Sequence, residues 1–300
     1  MTSTSPNKRH KLSWFELWEV LKETFTGFFA VQGLHHGAAL AYYALFALIP
    51  LLYLTVSVFG RVIGRETTIE IISYFMKNQI GINDVSGIIS IVDLLNLDKG
   101  NLVMDVVGVT TLLVACSALM VMMKTSMNKY LGIVPNTISV KRAVLEDLLF
   151  RLISIVMIAG FTLVIVVIYF AQLFAVSLGD QWFGDAEVVH WMLSSLARHG
   201  LSILSNLLIF TFIFRYVHDG IVKWRLALYG AVVTSVILYL SQLGIKYYLV
   251  NFFFAANGGI AGSLLIIMVW VFYSSLIIFM GAKFTAVYAA KTGQPILADQ

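Results

Sequence analysis

The chain has 300 residues, 59% of them hydrophobic and only 12% charged, with a formal net charge of +4. A soluble domain carries roughly 25% charged residues spread over its surface. Here the charges fall between long apolar blocks, which excludes an ordinary soluble globule. The single cysteine, Cys116, lies inside an apolar block, which excludes an intrachain disulfide and a Cys-rich metal site. The basic excess is read as membrane topology rather than as a nucleic-acid surface.

In chain order, residues 1–11 are polar. Residues 12–30 predict an amphipathic helix lying in the membrane interface. Trp14, Leu17, Trp18, Leu21 and Phe25 follow 3–4 spacing, and Glu16, Glu19 and Glu23 fall largely off that stripe. The acidic residues after Lys8, Arg9 and Lys11 do not fit a cleavable signal peptide. Six apolar segments are long enough to span, at 38–60, 103–123, 152–178, 200–217, 226–249 and 259–282. Between the first two, residues 61–102 hold two amphipathic stretches, one with Ile69, Ile72, Phe75 and Met76, the other with Ile88, Ile91, Val92 and Leu95. Neither is long or apolar enough to span, so both predict helices covering the outer face.

The expected fold is therefore all-α. It is a polytopic membrane protein with six transmembrane helices, an N-terminal interfacial helix and amphipathic helices in the first outer loop. The parts are a cytoplasmic N-terminal region (1–37), a transmembrane domain (38–282) and a cytoplasmic tail (283–300). With the N-terminus inside, 14 of the 20 Lys and Arg residues fall on inner segments and 7 of the 16 acidic ones do. The positive-inside rule then places both ends in the cytoplasm, which agrees with an even number of spans.

Polar residues inside spans are costly and draw attention first. Gln172 lies in the third span and Asn206 in the fourth. Gln242 and Lys246 lie four apart, on one face of the fifth. Asn206 and Gln242 suit either hydrogen bonds between helices or a polar path. Lys246 is placed to snorkel to headgroups or to line that path. Tyr42, Tyr43 and Pro50 lie in the first span. Pro50 removes a backbone donor there, which marks a hinge, a cavity or a packing curve. Gly258 and Gly262 form a GxxxG pair, read as a close helix contact or a gate at the outer mouth. Arg151, Arg215, Lys223 and Arg225 predict a cytoplasmic basic ring for lipid headgroups or an anionic ligand.

The run Ala38-Ala39-Leu40-Ala41-Tyr42-Tyr43, followed by Phe46 and Pro50, resembles the opening span of the YihY / virulence factor BrkB family. Lys223-Trp224-Arg225 with Gly230-Ala231, and Gly262-Ser263-Leu264 with Trp270, Tyr273, Ser274 and Gly281-Ala282, resemble its later segments. Two departures stand out. The acidic residue that often follows the closing Gly-Ala is Lys283 here, and the usual Pro-Asp turn is His218-Asp219-Gly220. The resemblance implies a six-span bacterial inner-membrane protein. Relatives have carried a ribonuclease label, and envelope or lipid transport is a role suspected for the family.

The residues speak against that nuclease label. His218-Asp219 is the one His–Asp pair on an inner segment, and one pair does not make a metal site. There is no P-loop and no GxSxG elbow. The sequence therefore predicts a transporter-like or lipid-handling protein of the bacterial envelope, not an enzyme, with no cofactor, no metal and no nucleic acid. Membrane lipids are the expected partners, with an anionic lipid or small molecule as substrate and a homo-oligomer left open. The alternative is a packed structural or partner-binding bundle.

Overall fold

The computed structural model describes residues 13–76, 86–87, 89–90, 102–133, most of 149–177, 187–252, 259–294 and 296–298. Its helices are α1 (Trp14–Ala30), α2 (Gly33–Ile63), α3 (Arg65–Phe75), α4 (Leu102–Leu131), α5 (Glu187–Tyr216), α6 (Trp224–Phe252) and α7 (Gly259–Lys291). The described residues of 149–177 are helical as well. Two short strands, β1 (Gly220–Ile221) and β2 (Leu297–Ala298), pair antiparallel.

Among the described residues, four helices are long and apolar enough to cross a bilayer: Val106–Leu131, His199–Tyr216, Trp224–Ile245 and Ile260–Lys291. They match the second, fourth, fifth and sixth expected spans. The expected first span belongs to α2, whose Gly33–Ile49 part is a shorter apolar helix. The expected third span, 152–178, lies partly outside the described residues. The last helix runs on to Lys291, past the boundary drawn at 282. Phe284, Val287 and Ala289 continue its buried side beyond Lys283.

Helix α7 is the axis of the bundle and packs against α1, α2, α4 and α6, while α5 packs along α6. Its seam with α6 is reciprocal. A Cβ added at Gly230 would overlap the Thr285 hydroxyl, and one at Gly281 would overlap the Thr234 hydroxyl. Each threonine sits four residues from a glycine on its own helix, so two antiparallel Gly-x-x-x-Thr stretches interlock. Thr234 Oγ1 donates to Gly230 O at 2.7 Å and Thr285 Oγ1 to Gly281 O at 2.8 Å. The seam is thus close and leaves neither hydroxyl unpaired in apolar surroundings.

Helix α1 has three faces. Val20, Thr24 and Phe28 are buried, with Val20 packed against Phe284 and Val287 of α7. Trp14, Trp18, Phe25 and Phe29 are exposed, at 88% for Trp14 and 67% for Trp18. Glu19 and Glu23 pair with Lys291 at 2.8 and 3.7 Å. An uncovered aromatic face beside a charged one is what the membrane interface accommodates. At the start of α1, Ser13 N–H donates to Glu16 Oε2 at 2.7 Å.

At the far end of α2, Gly64 has φ +92°, which frees α3 to fold back across the bundle. Ile69, Ile72, Phe75 and Met76 then pack on Leu48, Leu52, Val56, Ile266 and Ile267. The second amphipathic stretch, with Ile88, Ile91, Val92 and Leu95, lies outside the described residues.

Candidate functional site

A cavity of about 290 Å³ lies inside the bundle. It extends along α7 from Trp270 to Ile278, eight residues or about 12 Å at 1.5 Å per residue. Apolar walls come from Leu40 of α2, Phe75 of α3, Leu119 of α4, Phe210 of α5 and Leu238 of α6. No described lining residue is charged. The size is at the lower edge of the ~300–1,000 Å³ of small-molecule sites, and the mix of apolar walls with few polar groups is theirs too.

The polar lining divides in two. Ser205 Oγ donates to Ser202 O at 2.9 Å and Ser275 Oγ to Val271 O at 2.6 Å, so both hydroxyls are committed to their own helices. The amides of Asn206 and Gln242 are not held that way. Asn206 Nδ2 is buried with no hydrogen-bond partner among the described residues. The two amides that the sequence singled out on separate helices thus line the same cavity.

The other candidate path residues do not join them. Tyr42 and Tyr43 point outward, Tyr42 at 57% exposure, and the Tyr42 ring packs at a tilt on Phe46, 4.8 Å between centroids, on the same outer face. The packed side of α2 is its small and aliphatic side, with Leu40, Ala41, Ala47 and Leu48 buried. The helix runs unbroken through Pro50. The side chains of Pro50 and Lys246, and the whole of Gln172 and Gly258, lie outside the described residues. Gly262 is buried near the start of α7.

At the opposite end of the bundle the α5–α6 hairpin holds a polar cluster. Asp219 accepts from Asn128 Nδ2 at 2.7 Å and pairs with Lys124 at 2.6 Å, and its backbone N–H donates to Asn128 Oδ1 at 2.9 Å. His218 is buried and both ring nitrogens are engaged. Nε2 bonds the Phe214 carbonyl at 2.9 Å, and Nδ1 accepts from Gly220 N–H at 3.0 Å. That fixes the neutral tautomer with its proton on Nε2. Burial holds its pKa below the usual histidine value.

The four basic residues form no single ring. Arg215 donates to the Val222 carbonyl and lies beside the Tyr216 and Trp224 rings, 5.6 and 5.9 Å from their centroids. Arg151 is drawn inward to Ser117 Oγ at 2.9 Å. Lys223 and Arg225 are exposed at the start of α6. The sequence did not single out Lys124 and Asn128, which lie about ninety positions from Asp219 and carry no local signal. Among the described residues no group of three or more His, Cys, Asp or Glu side chains comes together.

The family model described as virulence factor BrkB matches residues 24–299. The chain belongs to the virulence factor BrkB family. Similar curated proteins are UPF0761 membrane proteins. The one from Chromobacterium violaceum is 33% identical over 97 residues, 32% of this chain and 23% of that protein. One from Stenotrophomonas maltophilia is 33% identical over 127 residues, 42% and 28% of the two chains. One from Tolumonas auensis is 31% identical over 114 residues, 36% and 37%. The matches thus span only about a quarter to a third of the length of these relatives. No solved structure matches.

Membership gives the earlier motifs a physical meaning. Of the residues that carried the BrkB resemblance, Gly230, Ala231, Gly281 and Ala282 form the α6–α7 seam, and Trp270 and Ser274 line the cavity. Lys283 lays its stem against Gly27 of α1 and so helps join that helix to α7.

Proposed function

We propose that this BrkB-family membrane protein takes a largely apolar, uncharged part of a membrane molecule into the bundle cavity and so handles or moves lipid. The observation that carries the reading is the uncharged cavity lined by the Asn206 and Gln242 amides, with Asn206 Nδ2 unpartnered among the described residues. An ion or a charged solute would lack a countercharge in such a site. A hydrocarbon chain gains from it. The reading involves no chemical step, no cofactor and no nucleic acid. His218, the residue a nuclease would need, has both ring nitrogens in hydrogen bonds.

The Lys and Arg distribution supports a bacterial inner membrane, with the α5–α6 hairpin and both chain ends on the cytoplasmic side. Exposed Lys223 and Arg225 then face anionic headgroups.

The test is leaflet exchange of labelled phospholipid in proteoliposomes, with and without an ion gradient. The expected result is exchange above protein-free liposomes, reduced severalfold by Ser274→Phe, which fills the cavity. Equal exchange in protein-free, wild-type and Ser274→Phe vesicles would overturn the transport reading.

A further inference from the structure

Four buried side-chain atoms have no hydrogen-bond partner among the described residues: Tyr130 Oη, Asn206 Nδ2, Arg215 Nε and Ser235 Oγ. Of these residues, only Asn206 lines the cavity. Arg215 is held through another nitrogen by the Val222 carbonyl. Asn206 is the one of the four whose side chain borders a space that another molecule can fill, although its Nδ2 is itself buried in this rotamer. A buried amide donor left unpaired costs about 1–3 kcal/mol, and natural structures keep few such groups. What would satisfy it is a hydrogen-bond acceptor on an otherwise apolar molecule. The site lies about 15 Å along α5 from its end at Tyr216, near the middle of a ~30 Å hydrocarbon core. Water is scarce at that depth and lipid surrounds the bundle.

We infer that the occupant is an uncharged ester-linked lipid, in its simplest form a diacylglycerol, with an ester carbonyl accepting from the Asn206 amide and its hydrocarbon against Phe210, Leu238 and Ile278. This rests on the lipid-handling reading and adds the linkage. An amide donor distinguishes a carbonyl from a bare methylene chain, while nothing in the lining holds a charge. Rotation about the terminal torsion of Asn206, which is soft, turns the donor toward the lumen. Asn206 on this account is a binding residue kept at a cost in stability.

The test uses the full-length protein in nanodiscs with a photoreactive diacylglycerol and its dialkyl-ether counterpart of equal chain length. The headgroup and partitioning match, and only the carbonyl differs. Cross-links to cavity residues of α5, α6 and α7 are expected about fivefold more often with the ester probe, the ratio of one net hydrogen bond. Asn206→Leu brings the ester probe down to the ether level, while the lipid-free variant melts at or above the wild-type Tm. Equal labelling by both probes in the unaltered protein overturns the inference and leaves the cavity reading standing, so the idea stays falsifiable if the variant does not accumulate. A lowered Tm for the lipid-free variant assigns Asn206 to packing and overturns it as well. Absence of any label on the cavity lining removes the lipid-handling reading itself.

Discussion

The hairpin end of this bundle and the cavity inside it use polar residues in opposite ways. At the α5–α6 hairpin, Lys124, Asn128 and Asp219 meet within hydrogen-bond distance, and His218 fastens the backbone through both nitrogens. There the polar groups close the structure. Around the cavity the polar groups are uncharged, and among them Asn206 Nδ2 has no partner among the described residues, in a largely apolar wall beside open volume. Polar groups that find partners inside the chain hold it together, and an unmet donor on a residue beside open volume is one that a bound molecule can satisfy.

The comparison breaks most severely at the α6–α7 seam that both regions depend on. Gly281→Val inserts a side chain where Thr234 and Phe214 already sit, and is expected to cost about 3 kcal/mol. Thermal unfolding in detergent measures it, and a wild-type Tm would mean that the helices do not interlock. Pairing Gly230→Ala with Thr285→Gly should recover more than half of the loss caused by Gly230→Ala alone. Next in size, Asp219→Ala leaves Lys124 and Asn128 without their shared acceptor and should cost about 1–2 kcal/mol, since the carboxylate is partly exposed. Lys124→Met should cost less, because the two Asn128 bonds survive it.

A smaller effect is the pH dependence of His218. Its folded pKa lies below the unfolded value of 6.5, so the unfolded chain binds the extra proton first. Stability is therefore full above pH 6.5 and falls as the pH drops toward the folded pKa. Melting curves from pH 7.5 to 5 should show that fall in the wild type and a flatter profile in His218→Gln. The smallest expectation is that Tyr42→Phe changes stability by less than about 0.5 kcal/mol and leaves lipid exchange unaltered. A loss of exchange there would place the path on the outer face of α2 instead of in the cavity.

Much of this was legible beforehand because membrane helices advertise themselves by length and apolar composition. The exposed aromatic face of α1, the α3 stripe from Ile69 to Met76, and the inward position of Asn206 and Gln242 all followed from period and polarity. Tyr42 and Tyr43 misled because a motif-bearing aromatic in a span reads as functional. Their neighbours Leu40 and Ala41 take the packed side, and the helical period turns the tyrosines to the outer surface. Arg215 looked like a headgroup anchor because a basic residue at a span end usually is one. Its engagement with Val222 and Trp224 depends on how the hairpin closes, which composition does not specify. The α6–α7 seam had a signal, a Gly-x-x-x-Thr on each helix, but its meaning appears only when the two are set antiparallel.

The measurement that bears most directly on the cavity is native mass spectrometry of protein released gently from membranes, wild type beside Ser274→Phe. Lipid handling through the cavity predicts retained lipid on the wild type and its loss from a variant that melts normally. Identical lipid retention by both proteins would contradict it and favour a packed bundle that acts through partners.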